Sequence, residues 1–245
     1  ASVASSALLV AAFYRREEVG AGRGELHRYL SRLLKFELRA SRELKGFLAA
    51  AFAAWISVYW TSALLKVKLY RLLGASVESY STVFGAAGLA SALASLSAAK
   101  LVEKIGGLAI AASSIAAYAV LIPLLGLVPD PLAYAILYCI PVWPFFWAGQ
   151  LAAVFELSSE GTEGESMGAL MAITSASSIP AIAGAIMAEC TGLDGAIALG
   201  GSLNLVPLLL LARFDLLRTR SESEDPRGGI GDPERGRARS GRDCV

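Results

Sequence analysis

Between Ser79 and Ala99 the chain carries no charged residue, and there is none between Ile105 and Leu127. Only the charged connector Lys100–Gly107 separates these two apolar runs. About 20 residues of helix, rising 1.5 Å each, cross a hydrocarbon core of about 30 Å. The same alternation recurs along the chain and predicts six spans, at about 47–65, 76–99, 108–127, 132–155, 167–188 and 196–212. The first ends at Lys66, Lys68 and Arg71. The second is dense in small residues (Gly85, Ala86, Gly88, Ala90, Ser91, Ala94, Ser95, Ala98), which let helices approach closely in lipid. The fourth holds Pro141 and Pro144, so a kink is expected there. Such a bend persists in a membrane only where protein or a cavity satisfies the freed carbonyls. The fifth carries Ser175, Ser177, Ser178 and Pro180, and Glu189–Gly195 turns the chain into the sixth.

Outside these spans the pattern changes. Residues 1–14 are apolar but too short to span, and Arg15 and Arg16 follow them. A secretory signal has its positive charge first, so the stretch reads as the end of a truncated transmembrane helix whose beginning lies upstream. Residues 15–45 hold nine Lys or Arg against five Glu. Leu26, Tyr29, Leu30, Leu33, Leu34 and Leu38 recur at helical spacing opposite Arg28, Arg32, Lys35, Arg39 and Arg42. This is a basic amphipathic linker, suited either to an anionic membrane surface or to the cytoplasmic ends of other helices. From residue 214 the chain is polar and without apolar periodicity, and a disordered cytoplasmic tail is expected.

Composition agrees: 55% of the 245 residues are hydrophobic and the net charge is +1, so no global field points to nucleic acid. Lys and Arg are asymmetric between alternate connectors, fourteen on one side and three on the other. By the positive-inside rule, residues 15–45, the Lys100–Gly107 hairpin and the C-terminus face the cytoplasm of a multi-pass plasma-membrane protein. Cys139, Cys190 and Cys244 are widely spaced and His27 is the single histidine, so neither a metal site nor a cofactor is expected. A membrane enzyme would need clustered Asp, His, Cys or an activated Ser at depth, and the spans offer none. The chain therefore reads as no enzyme.

The hairpin Ala99-Lys100-Leu101-Val102-Glu103-Lys104-Ile105-Gly106-Gly107 resembles the cytoplasmic loop motif Gly-x-Leu-Ala-Asp-Arg-x-Gly-Arg of the major facilitator superfamily. Leu101 and Gly106 match it, and Glu103 and Lys104 stand for its acid and base. Leu73-Gly74-Ala75-Ser76 is similar to that family's turn into its eighth helix. Ile179–Gly184 with Cys190-Thr191-Gly192 resembles the eleventh helix and its exit. The resemblance implies an all-α integral membrane fold: six transmembrane helices as a 3+3 inverted repeat, forming the C-terminal bundle of such a transporter. It also implies that residues 15–45 are the central linker, and that the partners are the lipid bilayer, a small-molecule solute and a missing N-terminal six-helix half. The function implied is solute transport by alternating access. A non-transporting membrane subunit and a six-helix transporter acting as a homodimer are the alternatives.

In that setting Leu101, Glu103, Lys104 and Gly106 form the gating-loop motif. An acid at this place can accept from free N–H groups of the next helix, or the charges can merely keep the hairpin in water. The resemblance turns four spans toward a central path, and the polar and aromatic groups at suitable depth are Trp55, Tyr59, Tyr138, Trp143, Trp147, Gln150, Ser177 and Ser178. No ionisable residue lies at mid-depth, which favours a neutral or amphiphilic solute, with efflux of apolar compounds one use.

Overall fold

The computed structural model describes residues 41–179 and 181–214. Residues 1–40 and 215–245, with the expected stub, most of the basic linker and the tail, lie outside the described residues. Every described element is an α-helix: α1 Arg42–Leu72, α2 Val77–Ile105, α3 Gly107–Leu127, α4 Pro131–Tyr138, α5 Val142–Leu157, α6 Glu163–Ala176, α7 Ala181–Ser202 and α8 Leu205–Arg213. Five stretches are long and apolar enough to cross a membrane: 42–72, 77–105, 107–127, 131–157 and 182–213. This is the make-up of an integral membrane protein.

Local chemistry sets the ends of these helices. Ser41 caps α1 by accepting from the Leu44 N–H at 3.0 Å, and Ser76 caps α2 through the Ser79 N–H. Asp130 caps α4 by accepting from the Ala133 N–H at 2.7 Å, with Pro131 behind it in the first turn. Such caps supply partners for amides that have none inside the helix.

The connection between α2 and α3 is shorter than the sequence suggests. Lys100 to Ile105 stay helical, and Gly106 alone reverses the chain at φ 84° and ψ 157°. Only glycine adopts this backbone without steric cost, so no loop is needed. Glu103 and Lys104 therefore sit in the last turn of α2.

Gly192, inside α7, has nearly the same backbone, φ 78° and ψ 165°. A Cβ at Gly184 or at Gly200 would strike Trp60 in either case. Unbroken helix would separate these two glycines by about 24 Å, so the chain must double back at Gly192. The bonds to α1 give the directions. Phe52 meets Ser177 and Trp60 meets Gly184, so the chain before Gly192 runs parallel to α1. Beyond Gly192, Lys68 meets Asp194, Trp60 meets Ala196 and Ser57 meets Asn204, so that part runs antiparallel. The expected fifth span, 167–188, is interrupted as well, because α6 ends at Ala176 and α7 starts at Ala181. The interruption falls where Pro180 lacks an N–H.

Packing centres on α1, α3, α5 and α7. Leu44, Phe47, Ala51 and Trp55 of α1, Ala111 and Ile115 of α3, Phe146, Ala153 and Val154 of α5, Leu170 of α6 and Leu211 of α8 make the main core. Close approach runs through small residues: Gly149 lies on Ala111, Gly107 on Ala152 and Ala153, and Gly201 on Pro123. The expectation that α2 would pack through its Gly, Ala and Ser residues is met only in part: Ala90, Ser91 and Ala94 are half-buried and Ala98 is buried, on the face toward the bundle. A Cβ at Gly85 or Gly88 would meet nothing, and Ala98 is the only buried residue of α2. Abundant small side chains allow close approach but do not enforce it: α2 lies close to α5 and stands off α1 and α3.

Candidate functional site

That separation leaves a cavity of about 470 Å³ between α1, α2, α3 and the α4–α5 break. It is half open, and Leu65, Phe84, Leu121, Ile122, Leu125, Leu137 and Ile140 line much of it. The polar lining is Tyr59, Thr61, Ser62, Lys66, Ser91, Tyr118 and Tyr138. Helix α4 stops at Tyr138 and α5 begins at Val142, and Ile140 and Pro141 of this break line the space. Drug-sized ligands occupy mostly apolar clefts of about 300–1,000 Å³ with a few placed polar groups.

Three of the candidate residues, Tyr59, Tyr138 and Trp143, line this cavity. Trp55 and Gln150 do not, because they form its buried support. The Trp55 Nε1–H donates to Gln150 Oε1 at 2.7 Å, and both side chains are at most 2% exposed. The Trp55 ring then organises the aromatic wall. Its centroid lies 5.2 Å from Tyr59 and 5.3 Å from Trp143, with Trp143 edge-on at 83°. Trp147 also meets Trp55 edge-on, at 5.7 Å, and lies parallel to Trp143 at 6.5 Å. Edge-to-face contacts of this kind favour one relative ring orientation, so the buried pair fixes the half-exposed Trp143.

Ser177 and Ser178 serve the backbone instead. Ser177 is buried and its hydroxyl donates to the Ile173 carbonyl at 2.6 Å and to Phe52 of α1 at 3.3 Å. Ser178 is half-buried and its hydroxyl donates to the Ser175 carbonyl. Both lie at the interruption between α6 and α7, where carbonyls lose their helical donors.

Among the gating-loop residues, Glu103 and Lys104 make no ion pair within the described residues. Capping of α3 falls to Glu156 of α5. Its carboxylate accepts from the Gly107 N–H at 2.6 Å and the Leu108 N–H at 3.3 Å, facing the positive end of the helix dipole. Sequence reasoning looked for this acid next to the turn, whereas the fold delivers it from 49 residues away.

Two lysines read as end-of-span cations have distinct places. Lys68 is buried. Its ammonium donates to the Gly126 carbonyl at 2.7 Å, pairs with Asp194 at 2.8 Å and lies over the Tyr134 ring, joining α1, α3, α4 and α7. Lys66 sits on the cavity rim with its ammonium 5.8 Å from the Phe84 centroid. The signal for Lys66 was available, since Val58, Tyr59, Ser62, Leu65 and Lys66 share one face at helical spacing. Polar ties elsewhere, such as the Asn204 amide donating to Ser57 and Gly201, had no sequence signature. Among the described residues, no group of three or more His, Cys, Asp or Glu could hold a metal ion.

No protein-family model, curated protein or solved structure matches this chain.

Proposed function

We propose that the chain moves a small neutral or amphiphilic solute across a membrane by alternating access, as the C-terminal half of a transporter of the major facilitator type. The observation that carries this reading is the cavity beside the broken α4–α5 helix. It is walled mainly by apolar and aromatic side chains and placed between membrane-compatible helices. Irregular backbone at membrane depth is tolerated where it borders such a space.

The two glycine turns support the 3+3 arrangement. Counting the α4–α5 pair as one passage and dividing α7 at Gly192 gives six passages. Gly106 then joins the second and third passages of the first triple, and Gly192 joins the second and third of the second triple, with matching backbone angles. The apolar flank of α2 (Leu89, Leu93 and Leu96, all over 60% exposed) offers a surface to lipid or to the other half of such a transporter. It serves equally in a homodimer of six-passage chains.

The test is accessibility. Ser62→Cys is placed in a chain whose three cysteines are replaced by serine, then reconstituted in vesicles and treated with an impermeant thiol reagent from either side. Alternating access predicts that the cavity residue reacts from both faces of the membrane over time. Reaction from one face alone, with no solute flux, would leave a non-transporting subunit. In intact cells Lys100→Cys is expected to stay protected from the outside reagent, and its labelling would reverse the proposed orientation.

A further inference from the structure

The charge and hydrogen-bond character of the cavity are more specific than its shape. Among the described residues that line it, Lys66 alone carries charge. Lys66 has no acid partner among the described residues, while its neighbour Lys68 is neutralised by Asp194. Lys66 is exposed at the cavity rim, and its ammonium lies 5.8 Å from the Phe84 centroid, a contact that leaves its three N–H donors free for a ligand or water.

The hydroxyls around it divide into two sets. Thr61 and Ser62 return their protons to carbonyls of their own helix. The hydroxyls of Tyr59, Tyr118, Tyr138 and Ser91 make no hydrogen bond within the described residues, and all four residues line the cavity. One ammonium and four uncommitted hydroxyls thus belong to residues that line a space walled for the rest mostly by hydrocarbon and rings. A carboxylate accepts hydrogen bonds and donates none, so it complements this set, and charge-assisted bonds are the strong ones. An ammonium or other cationic head would meet Lys66 with no acid in the lining to offset it.

We propose that the cavity binds an amphiphilic organic monoanion, with a single carboxylate at Lys66 and an apolar or aromatic body along Leu121, Leu125 and Leu137. This rests on the transport reading only in taking the cavity as the solute site. It narrows the solute from neutral or amphiphilic to an amphiphile with one negative head.

Phenylbutyrate, phenylbutanol and phenylbutylamine share one body and differ only in the head group. Their binding to the full chain in detergent is followed by tryptophan fluorescence, with empty micelles subtracted. The carboxylate should bind about fivefold more tightly than the alcohol, as suits a partly exposed ion pair, and the amine should bind weakest. Lys66→Gln should abolish the margin between carboxylate and alcohol while leaving alcohol binding in place, and Lys66→Arg should keep it. Equal binding of carboxylate and alcohol, a margin that survives Lys66→Gln, or no binding of any of the three would each overturn the assignment. Flux in vesicles separates the two claims. Carboxylate binding with this preference but without movement would refute transport and leave the site standing. Movement without a head-group preference would refute the site and leave transport standing.

Discussion

Lys68 and Asp194 join four helices through one ammonium, and their unequal burial makes the pair a sharp test of the structure. The Lys68 side chain is 6% exposed and that of Asp194 is 69% exposed. By exposure alone, Asp194→Ala ought to be mild, since ion pairs at the surface contribute about 0–1 kcal/mol. The buried member reverses this expectation. Without Asp194 the ammonium keeps only the Gly126 carbonyl and the Tyr134 ring. Leaving a buried charge uncompensated costs about 3–5 kcal/mol, which those two contacts reduce to about 2 kcal/mol.

Lys68→Met retains the apolar stem and removes the charge with its need for a partner. It gives up charge-assisted bonds of about 1.5–3 kcal/mol and regains some by apolar burial, for a net loss of about 1 kcal/mol. The exposed carboxylate it strands simply hydrates. Asp194→Ala should therefore destabilise more than Lys68→Met. The double variant should sit near Lys68→Met, a departure from additivity of about 2 kcal/mol. Unfolding in mixed micelles of mild detergent and dodecyl sulfate, followed by tryptophan fluorescence, measures all four corners. Asp194→Ala indistinguishable from the unsubstituted chain, or costs that simply add, would refute the buried-ammonium argument.

Other substitutions probe separate parts of the fold. Glu156→Gln removes the charge that caps α3 and should lower stability by about 1 kcal/mol in the same assay, less at high salt; no change would mean that the cap is idle. Gly200→Ala puts a methyl against Trp60 and Thr61 and should cost about 1–3 kcal/mol, whereas Gly85→Ala on α2 meets nothing and should stabilise by up to about 1 kcal/mol. Among the described residues Trp55 is the one side-chain partner of Gln150, whose Nε2 has none there, so Trp55→Phe should cost about 1–3 kcal/mol; adding Gln150→Leu should recover much of that.

The sequence was most legible where physics acts over short range. Uncharged runs and the prolines at 141 and 144 act within a turn or two, so most apolar spans and the α4–α5 break could be placed from the pattern alone. Even there, Gly106 shows the limit: a charged hairpin and a helix continued to a one-residue turn look alike in the sequence. Long-range partners were not legible. Glu156 reaches Gly107, Lys68 reaches Asp194 and Asn204 reaches Ser57 only once helices are packed, and no spacing encodes those meetings. The cavity was legible in part. The paired prolines pointed to the break and named Tyr138 and Trp143. Trp55 and Gln150 were counted as lining because an aromatic and an amide at depth look the same whether they face a space or each other. Lys66 was set aside because a cation near the end of a span usually only reaches for water.

The single-glycine joints at positions 106 and 192 also limit where the protein can be edited. A reversal made by one residue leaves no slack, so an epitope or protease site placed there must first pry apart the flanking helices, which the bend before α6 at Gly161 would not require. Emerging from the ribosome, each such pair is joined by one residue and not by a loop, so the two helices are fitted to enter the bilayer as a single folded-back unit.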